Sequence, residues 1–270
     1  MFGATLGRAT LSPDGASTSF KDRTPFVGEV FAESLHVPSA PSTSVELSVV
    51  TTFKPAAVLW DMDGTILDSE PYWMSAETSL VESWGGAWSH ELGLTLVGLG
   101  LNNSAQVLQD HGVDLTKAEI INVLTTSVME QVAVAIPWRP GARELLLELK
   151  ELNVPTALVT MSFRSLAELV ASSIGFHAFD VVVTGDEVAI PKPHPEAYLT
   201  AAQSLNVSIE DCVAIEDSVP GVTSAVASGA VTISVPHLVE VPEAETHTTW
   251  NTLAGRTAND LSTAFTKARS

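Results

Sequence analysis

Apolar residues along this chain gather into short unbroken runs that end in polar residues or glycine, and stretches with a helical repeat separate them. The first such run is Ala56-Ala57-Val58-Leu59-Trp60, which opens into Asp61 and Gly64, the pattern of a buried strand leading to a tight loop. Similar runs cover residues 155–159 ending at Thr160, residues 181–183 ending at Thr184-Gly185-Asp186, and residues 212–215 ending at Glu216-Asp217. A fifth, Val231-Thr232-Ile233-Ser234-Val235, closes the series. Between them apolar positions at helical spacing predict helices over 141–152, 165–174, 195–205 and 219–228. Strand and helix alternate, so the predicted class is α/β, a Rossmann-like parallel sheet covered on both faces.

Residues 70–136 break the alternation with at least three helical stretches and no convincing strand. Pro71 sits at a helix start, Trp73, Ala76, Leu80, Val81 and Trp84 recur on one face, and Gly85-Gly86 ends that helix. Thr116 to Glu119 reads as a capping box ahead of Ile120, Ile121, Leu124, Val128 and Val132. The organisation expected is an α/β core over 54–69 and 137–240, an all-helical cap inserted at 70–136, and a hinge back at 137–141. Residues 241–270 form a tail with a short helix near 259–267. Residues 1–53, rich in Ser, Thr, Pro, Gly and Ala without a sustained period, read as a disordered extension. No apolar core of a signal peptide follows the start, and Asp14, Asp22, Glu29 and Glu33 intrude.

Charge narrows the partners. The formal net charge of -19, from 32 acidic against 13 basic residues, argues against nucleic acid or an anionic membrane. It does not exclude a phosphorylated small molecule, because the nearest charges dominate at contact distance. The single cysteine, Cys212, lies in an apolar run, which excludes a disulfide framework and fits a reducing cytoplasm. The chain is expected to act as a monomer or weak homo-oligomer.

The chemistry-bearing residues cluster where the strands end. In open parallel sheets, ligands bind outside the carboxyl ends of the strands. Asp61 and Asp63 follow the first strand, Thr160 and Ser162 the second, Glu216 and Asp217 the fourth, and Lys192 lies in the loop before the 195–205 helix. Singly, each has an ordinary reading as turn former, helix cap or surface charge. Together, several carboxylates on one rim would repel one another unless a cation compensates, and oxygen ligands of this kind suit magnesium. Of the seven histidines only His194 falls near this rim, as a loop residue, so zinc is disfavoured. Two aspartates one residue apart can divide the work, one attacking and one moving a proton.

At this level of detail the chain resembles haloacid-dehalogenase-superfamily phosphatases, the subgroup with a helical cap after the first strand, which includes β-phosphoglucomutase-like and phosphoglycolate-phosphatase-like members. The resemblance covers roughly residues 55–236 and rests on motifs in order: Asp61-Met62-Asp63-Gly64-Thr65, Thr160, Lys192 within Lys192-Pro193-His194-Pro195, and Glu216-Asp217. It implies Asp61 as nucleophile, Asp63 as general acid and base, and Thr160 and Lys192 as phosphate-binding groups. It further implies Mg2+ held by Asp61, the Asp63 backbone carbonyl, Asp217 directly, and Glu216 directly or through water. Asp68-Ser69-Glu70-Pro71 resembles the usual lead into the cap. The expected activity is hydrolysis of a small phosphate monoester through an aspartyl-phosphate.

Three rival readings are weighed. A dehalogenase needs neither magnesium nor an acid at Asp63. A sugar-phosphate mutase of the related kind carries a histidine in the first cap helix, where this chain has Trp73, and a basic cap residue, for which only Lys117 is available. A non-catalytic phospho-ligand binder needs no complete set of motifs. Trp73, Trp84, Trp88, Leu94, Leu96, Leu99 and Asn102 are the candidates to line the cap side, with Trp84 read as cap core. That lining favours a small or moderately apolar monoester over a bisphosphate.

Overall fold

A computed structural model describes residues 54–242 and 246–270, so the extension expected over 1–53 lies outside the described residues. At its centre is strand β1 (Ala57–Trp60), flanked by β2 (Thr156–Val159) and, on the other side, by β4 (Cys212–Glu216). β3 (Val181–Val183) lies outside β2, while β5 (Val231–Ser234) and β6 (Thr248–Thr249) extend the other edge, giving the order β3-β2-β1-β4-β5-β6 with every pairing parallel. β1, β2, β4 and β5 are buried along their whole length, which is why each reads as an unbroken apolar run. β6 has only two residues, too short for any periodicity to announce it.

Side-chain alternation along the strands builds two separate cores. Ala57 and Leu59 of β1 face a layer that includes Tyr198 and Ala201 of α7 (Glu196–Ser204) and Ala225 of α8 (Val219–Ser228). Val58 and Trp60 face the other side, where Leu145 and Leu149 of α5 (Ala142–Glu151), Leu166 and Val170 of α6 (Arg164–Ser173) and Leu261 and Phe265 of α9 (Ala258–Ala268) pack. The tail therefore closes the core: α9 starts at the Thr257 capping box and buries its apolar face against α5 and β5.

Four helices separate β1 from α5 and form the cap: α1 (Glu70–Ser83), α2 (His90–Leu94), α3 (Leu101–Asp110) and α4 (Lys117–Val134). α4 begins at the expected capping box, in which Thr116 Oγ1 accepts from the Glu119 backbone and Glu119 reaches back. Its residues Ile120, Ile121, Leu124, Val128 and Val132 are all buried, facing Leu80 and Val81 of α1 and Ala105 and Leu108 of α3. α3 was not resolved from the adjoining loop by pattern, because glycines at 98 and 100 run directly into it. Trp84, expected in the cap core, is 43% exposed at the end of α1. The two crossings between core and cap run side by side: Asp68 N donates to Pro137 O at 2.8 Å and Arg139 N to Ile66 O at 2.8 Å.

The cap core depends on α4 being filled. Leu124→Ala, at a site only 1% exposed, is expected to destabilise the protein by about 2–5 kcal/mol, read by chemical denaturation; a loss under ~1 kcal/mol would show that this layer is not tightly packed.

Candidate active site

Strand register assembles the centre of the site. Trp60 pairs with Leu158 and with Ile215, so the next residues, Asp61, Val159 and Glu216, stand at one level across three neighbouring strands. The ammonium of Lys192 meets all three, donating to Asp61 Oδ1 at 2.7 Å, Glu216 Oε1 at 2.6 Å and Val159 O at 2.9 Å. Its own burial would lower the lysine pKa, but Asp61 and Glu216 outweigh that and hold it above its ordinary value. Tyr198 Oη donates to the same Glu216 Oε1 at 2.6 Å, and the Glu216 Oε2 accepts from the Asp217 backbone at 3.2 Å.

Asp61, Glu216 and Asp217 bring carboxylate oxygens within 4.8 Å of one another, and all three are buried. Burial, with Glu216 beside it, pushes the Asp61 carboxyl up to about 8 despite Lys192. Burial, then Asp61 and Glu216, hold Asp217 well above the usual carboxylate range. One buried ammonium does not balance these charges, and Asp61 Oδ2 is buried without a hydrogen-bond partner. This is an oxygen donor set short of a cation, which suits a hard divalent metal such as magnesium. Glu216 is the most committed of the three, since both of its oxygens already accept hydrogen bonds.

The loop after β1 needs glycine at position 64. Its φ is +83°, and a Cβ there would stand 2.0 Å from Asp217 Oδ2. The same loop lifts Asp63 away from the carboxylate trio into a different environment. Its Oδ1 accepts from Ser69 Oγ at 2.5 Å and from the Trp73 indole at 3.2 Å, and its Oδ2 from Thr160 Oγ1 at 3.2 Å and Ser162 Oγ at 2.7 Å. The two expected phosphate-side groups thus part company: Lys192 sits on Asp61, whereas the Thr160 hydroxyl points at Asp63.

A cavity of about 60 Å³ opens above these residues, lined on the core side by Asp61, Asp63, Thr160, Ser162, Lys192 and Ser218. At ~10–15 Å³ per water, it holds a handful of waters. On the cap side Trp73, Leu96 and Leu99 line it as expected, whereas Trp84, Trp88, Leu94 and Asn102 do not. Glu70, Glu77, Leu101 and Ser104 were missed. The lining is consequently not the apolar one anticipated: it carries the carboxyls of Glu70 and Glu77, which burial pushes each up to about 8. Glu77 was legible only as an interruption of the buried face that carries Trp73, Ala76, Leu80 and Val81. Tyr198 was likewise passed over as one aromatic in the α7 pattern, although a buried hydroxyl requires a partner.

A model of haloacid dehalogenase-like hydrolases matches residues 55–229. The chain belongs to that family. It is 32% identical to hexitol phosphatase B of Escherichia coli K12 over 202 residues, 70% of this chain and 85% of that enzyme. It is also 32% identical to the bifunctional riboflavin kinase/FMN phosphatase of Arabidopsis thaliana, over 68% of this chain but only about half, 49%, of that longer protein. Among solved structures, CbbY from Rhodobacter sphaeroides in complex with phosphate superposes with a TM-score of 0.69 at 27% identity, covering 74% of this chain and 95% of that one. The α/β core with its inserted helical cap is thus the architecture of this family.

Two outcomes follow. Gly64→Ala is expected to lose at least ~1 kcal/mol of stability, read by denaturation, because strain at positive φ adds to the clash with Asp217; unchanged stability would remove the constraint. For Glu77, the folded carboxyl holds its proton up to about 8 against an ordinary 4.5. Its contribution is therefore complete below the lower value and lost as pH rises through the upper one. Stability measured across that range should fall less steeply with pH in Glu77→Gln than in the wild type.

Proposed function

We propose that this protein is a magnesium-dependent phosphatase that hydrolyses a small phosphate monoester through an aspartyl-phosphate on Asp61. The observation that carries the reading is the division of labour in the loop after β1. Asp61 has one oxygen oriented by Lys192 and one without a partner, while Asp63, two residues on, is held by an independent set of donors.

In the first step a carboxylate oxygen of Asp61 bonds to phosphorus as the bond from phosphorus to the leaving alcohol oxygen breaks. Asp63, arriving protonated, gives that proton to the departing oxygen. In the second step water attacks phosphorus, Asp63 takes up the proton, and the bond to Asp61 breaks, releasing phosphate and restoring the Asp61 carboxylate and the protonated Asp63. The ionised Asp63 of this second step is the acceptor that Ser69, Trp73, Thr160 and Ser162 surround. Lys192 keeps Asp61 in place and offsets charge on the transferring group, and Thr160 contributes to phosphate binding once substrate displaces its contact with Asp63. Asp61, the Asp63 carbonyl and Asp217 would hold Mg2+, with Glu216 next to them, and the ion supplies charge neutralisation for the phosphoryl oxygens.

The mutase alternative lacks support at the cap. Trp73 stands in place of the histidine and donates to Asp63, and Lys117 does not line the cavity. A non-catalytic binder would have no use for an unpartnered Asp61 oxygen beside a second, separately held carboxylate. We take residues 70–136 as the cap that closes over the substrate. We also place the enzyme in a reducing cytoplasm: Cys212 is a buried free thiol, pushed up to about 12 by burial, and serves as core rather than nucleophile. No described helix is long and apolar enough to cross a membrane.

Asp61→Asn is expected to abolish magnesium-dependent release of phosphate from p-nitrophenyl phosphate, and chelation of metal should do the same reversibly; activity undiminished in Asp61→Asn would reject the nucleophile. Asp63→Asn should lower kcat about 10²–10⁴-fold on alkyl phosphates. The loss should be smaller on p-nitrophenyl phosphate, whose leaving group needs no proton, so an equal loss on both would deny Asp63 the role of acid.

A further inference from the structure

The phosphoryl chemistry leaves one buried hydroxyl beside the carboxylates unused. Tyr198, on α7, is fully buried and does not line the cavity, so it reaches the reacting groups only through other side chains. Its Oη donates to Glu216 Oε1 at 2.6 Å, and the Lys192 ammonium reaches the same oxygen at 2.6 Å while standing 5.1 Å from the centre of the tyrosine ring. A phenol and an ammonium together use both acceptor directions of Oε1. Glu216 Oε2 accepts from the Asp217 backbone at 3.2 Å, and Gly221 backs the carboxylate so closely that a Cβ there would stand 2.0 Å from Oε2 and 2.1 Å from the carboxyl carbon. Glu216 is thus wedged between α7 and the first turn of α8. Its neighbours are freer: among the described residues the Asp217 carboxylate accepts one side-chain hydrogen bond, from Thr65 Oγ1 at 3.3 Å, and Asp61 Oδ2 accepts none.

We propose that Tyr198 is a positioning residue for phosphoryl transfer: it pins Glu216 as the anchor of Lys192 and keeps that carboxylate from bonding the metal directly, so that Asp61 and Asp217 supply the carboxylate ligands. The inference rests on the magnesium-phosphatase reading above. All three protons of the Lys192 ammonium are engaged, by Asp61 Oδ1, Glu216 Oε1 and Val159 O. A Glu216 free to turn towards a cation would either draw the ammonium away from Asp61 or leave one of its protons buried without an acceptor, which is unfavourable. The tyrosine hydroxyl prevents both. A hydrogen-bond donor and a divalent ion compete for the same carboxylate oxygen, so Tyr198 lowers metal affinity while it keeps the lysine on the nucleophile.

The test measures Mg2+ binding to the metal-free full chain by calorimetry, without substrate, beside kcat and KM for p-nitrophenyl phosphate. Tyr198→Phe keeps the ring against Lys192 and removes only the hydroxyl. It is expected to bind Mg2+ about 3–10-fold more tightly and to lower kcat about 10-fold with KM within ~2-fold. Glu216→Gln, whose amide oxygen still accepts from Lys192 and Tyr198, should weaken Mg2+ binding by no more than ~10-fold, whereas Asp217→Asn should weaken it by at least ~100-fold. Mg2+ affinity unchanged or weakened in Tyr198→Phe, or losses of equal size in Glu216→Gln and Asp217→Asn, would overturn the assignment. The two acidic variants decide whether Glu216 bonds the metal even if the phenylalanine variant fails to fold. A wild type that binds Mg2+ but hydrolyses no ester would reject the phosphatase reading and leave the Glu216 assignment to stand on the binding data; one that binds no Mg2+ would take down both.

Discussion

Three neighbouring strands end at the same level, and the side chains that follow place Asp61 and Glu216 on either side of one buried ammonium, that of Lys192, which also bonds the Val159 carbonyl. The rest of the site answers to this arrangement. Charges removed from water persist only when paired and hydrogen-bonded. One lysine cannot satisfy Asp61, Glu216 and Asp217 together. Together the three carboxylates form an oxygen donor set that suits a divalent cation. The arrangement also explains the supporting parts, from the Tyr198 hydroxyl on Glu216 to a glycine at position 64, where any side chain would displace Asp217.

Asp63 belongs to a second, separate constraint. Its carboxylate is shared between the core, through Thr160 and Ser162, and the lead into the cap, through Ser69 and Trp73. The carboxylate we propose for proton transfer is thereby tied to cap position: moving α1 alters two of its donors at once. Cap closure can thus both exclude water and set the geometry of the acid, the coupling expected where a lid completes a catalytic set. Trp73 gives this chain a neutral donor at that point.

The protein's overall acidity and the positive demand of its ligand are not in conflict. A net charge of -19 is a property of the whole chain, whereas a phosphoryl group senses only what lies within a Debye length, about 8–10 Å. Among the residues lining the cavity, Lys192 supplies the positive charge at that range. On the cap side Glu70 and Glu77 line the cavity, and burial pushes both carboxyls up to about 8.

Much of this was written in the sequence. Strands buried on both faces cannot alternate, so their unbroken apolar runs and the polar residues that stop them were visible, and with them Asp61, Thr160, Glu216 and Asp217. The α4 capping box was visible because its bonds are local. What could not be read depended on distance in the chain. Tyr198 reaches Glu216 across the packing of α7 on the sheet, and β6 pairs through only two residues. Glu77, on the same helix face as Trp73, lines the cavity only because α1 packs where it does. Local pattern determines which residues end a strand or cap a helix, because those interactions span a few residues. Only the tertiary structure decides which buried polar atoms find partners and which are left for a ligand, because that balance is struck between segments the sequence keeps far apart.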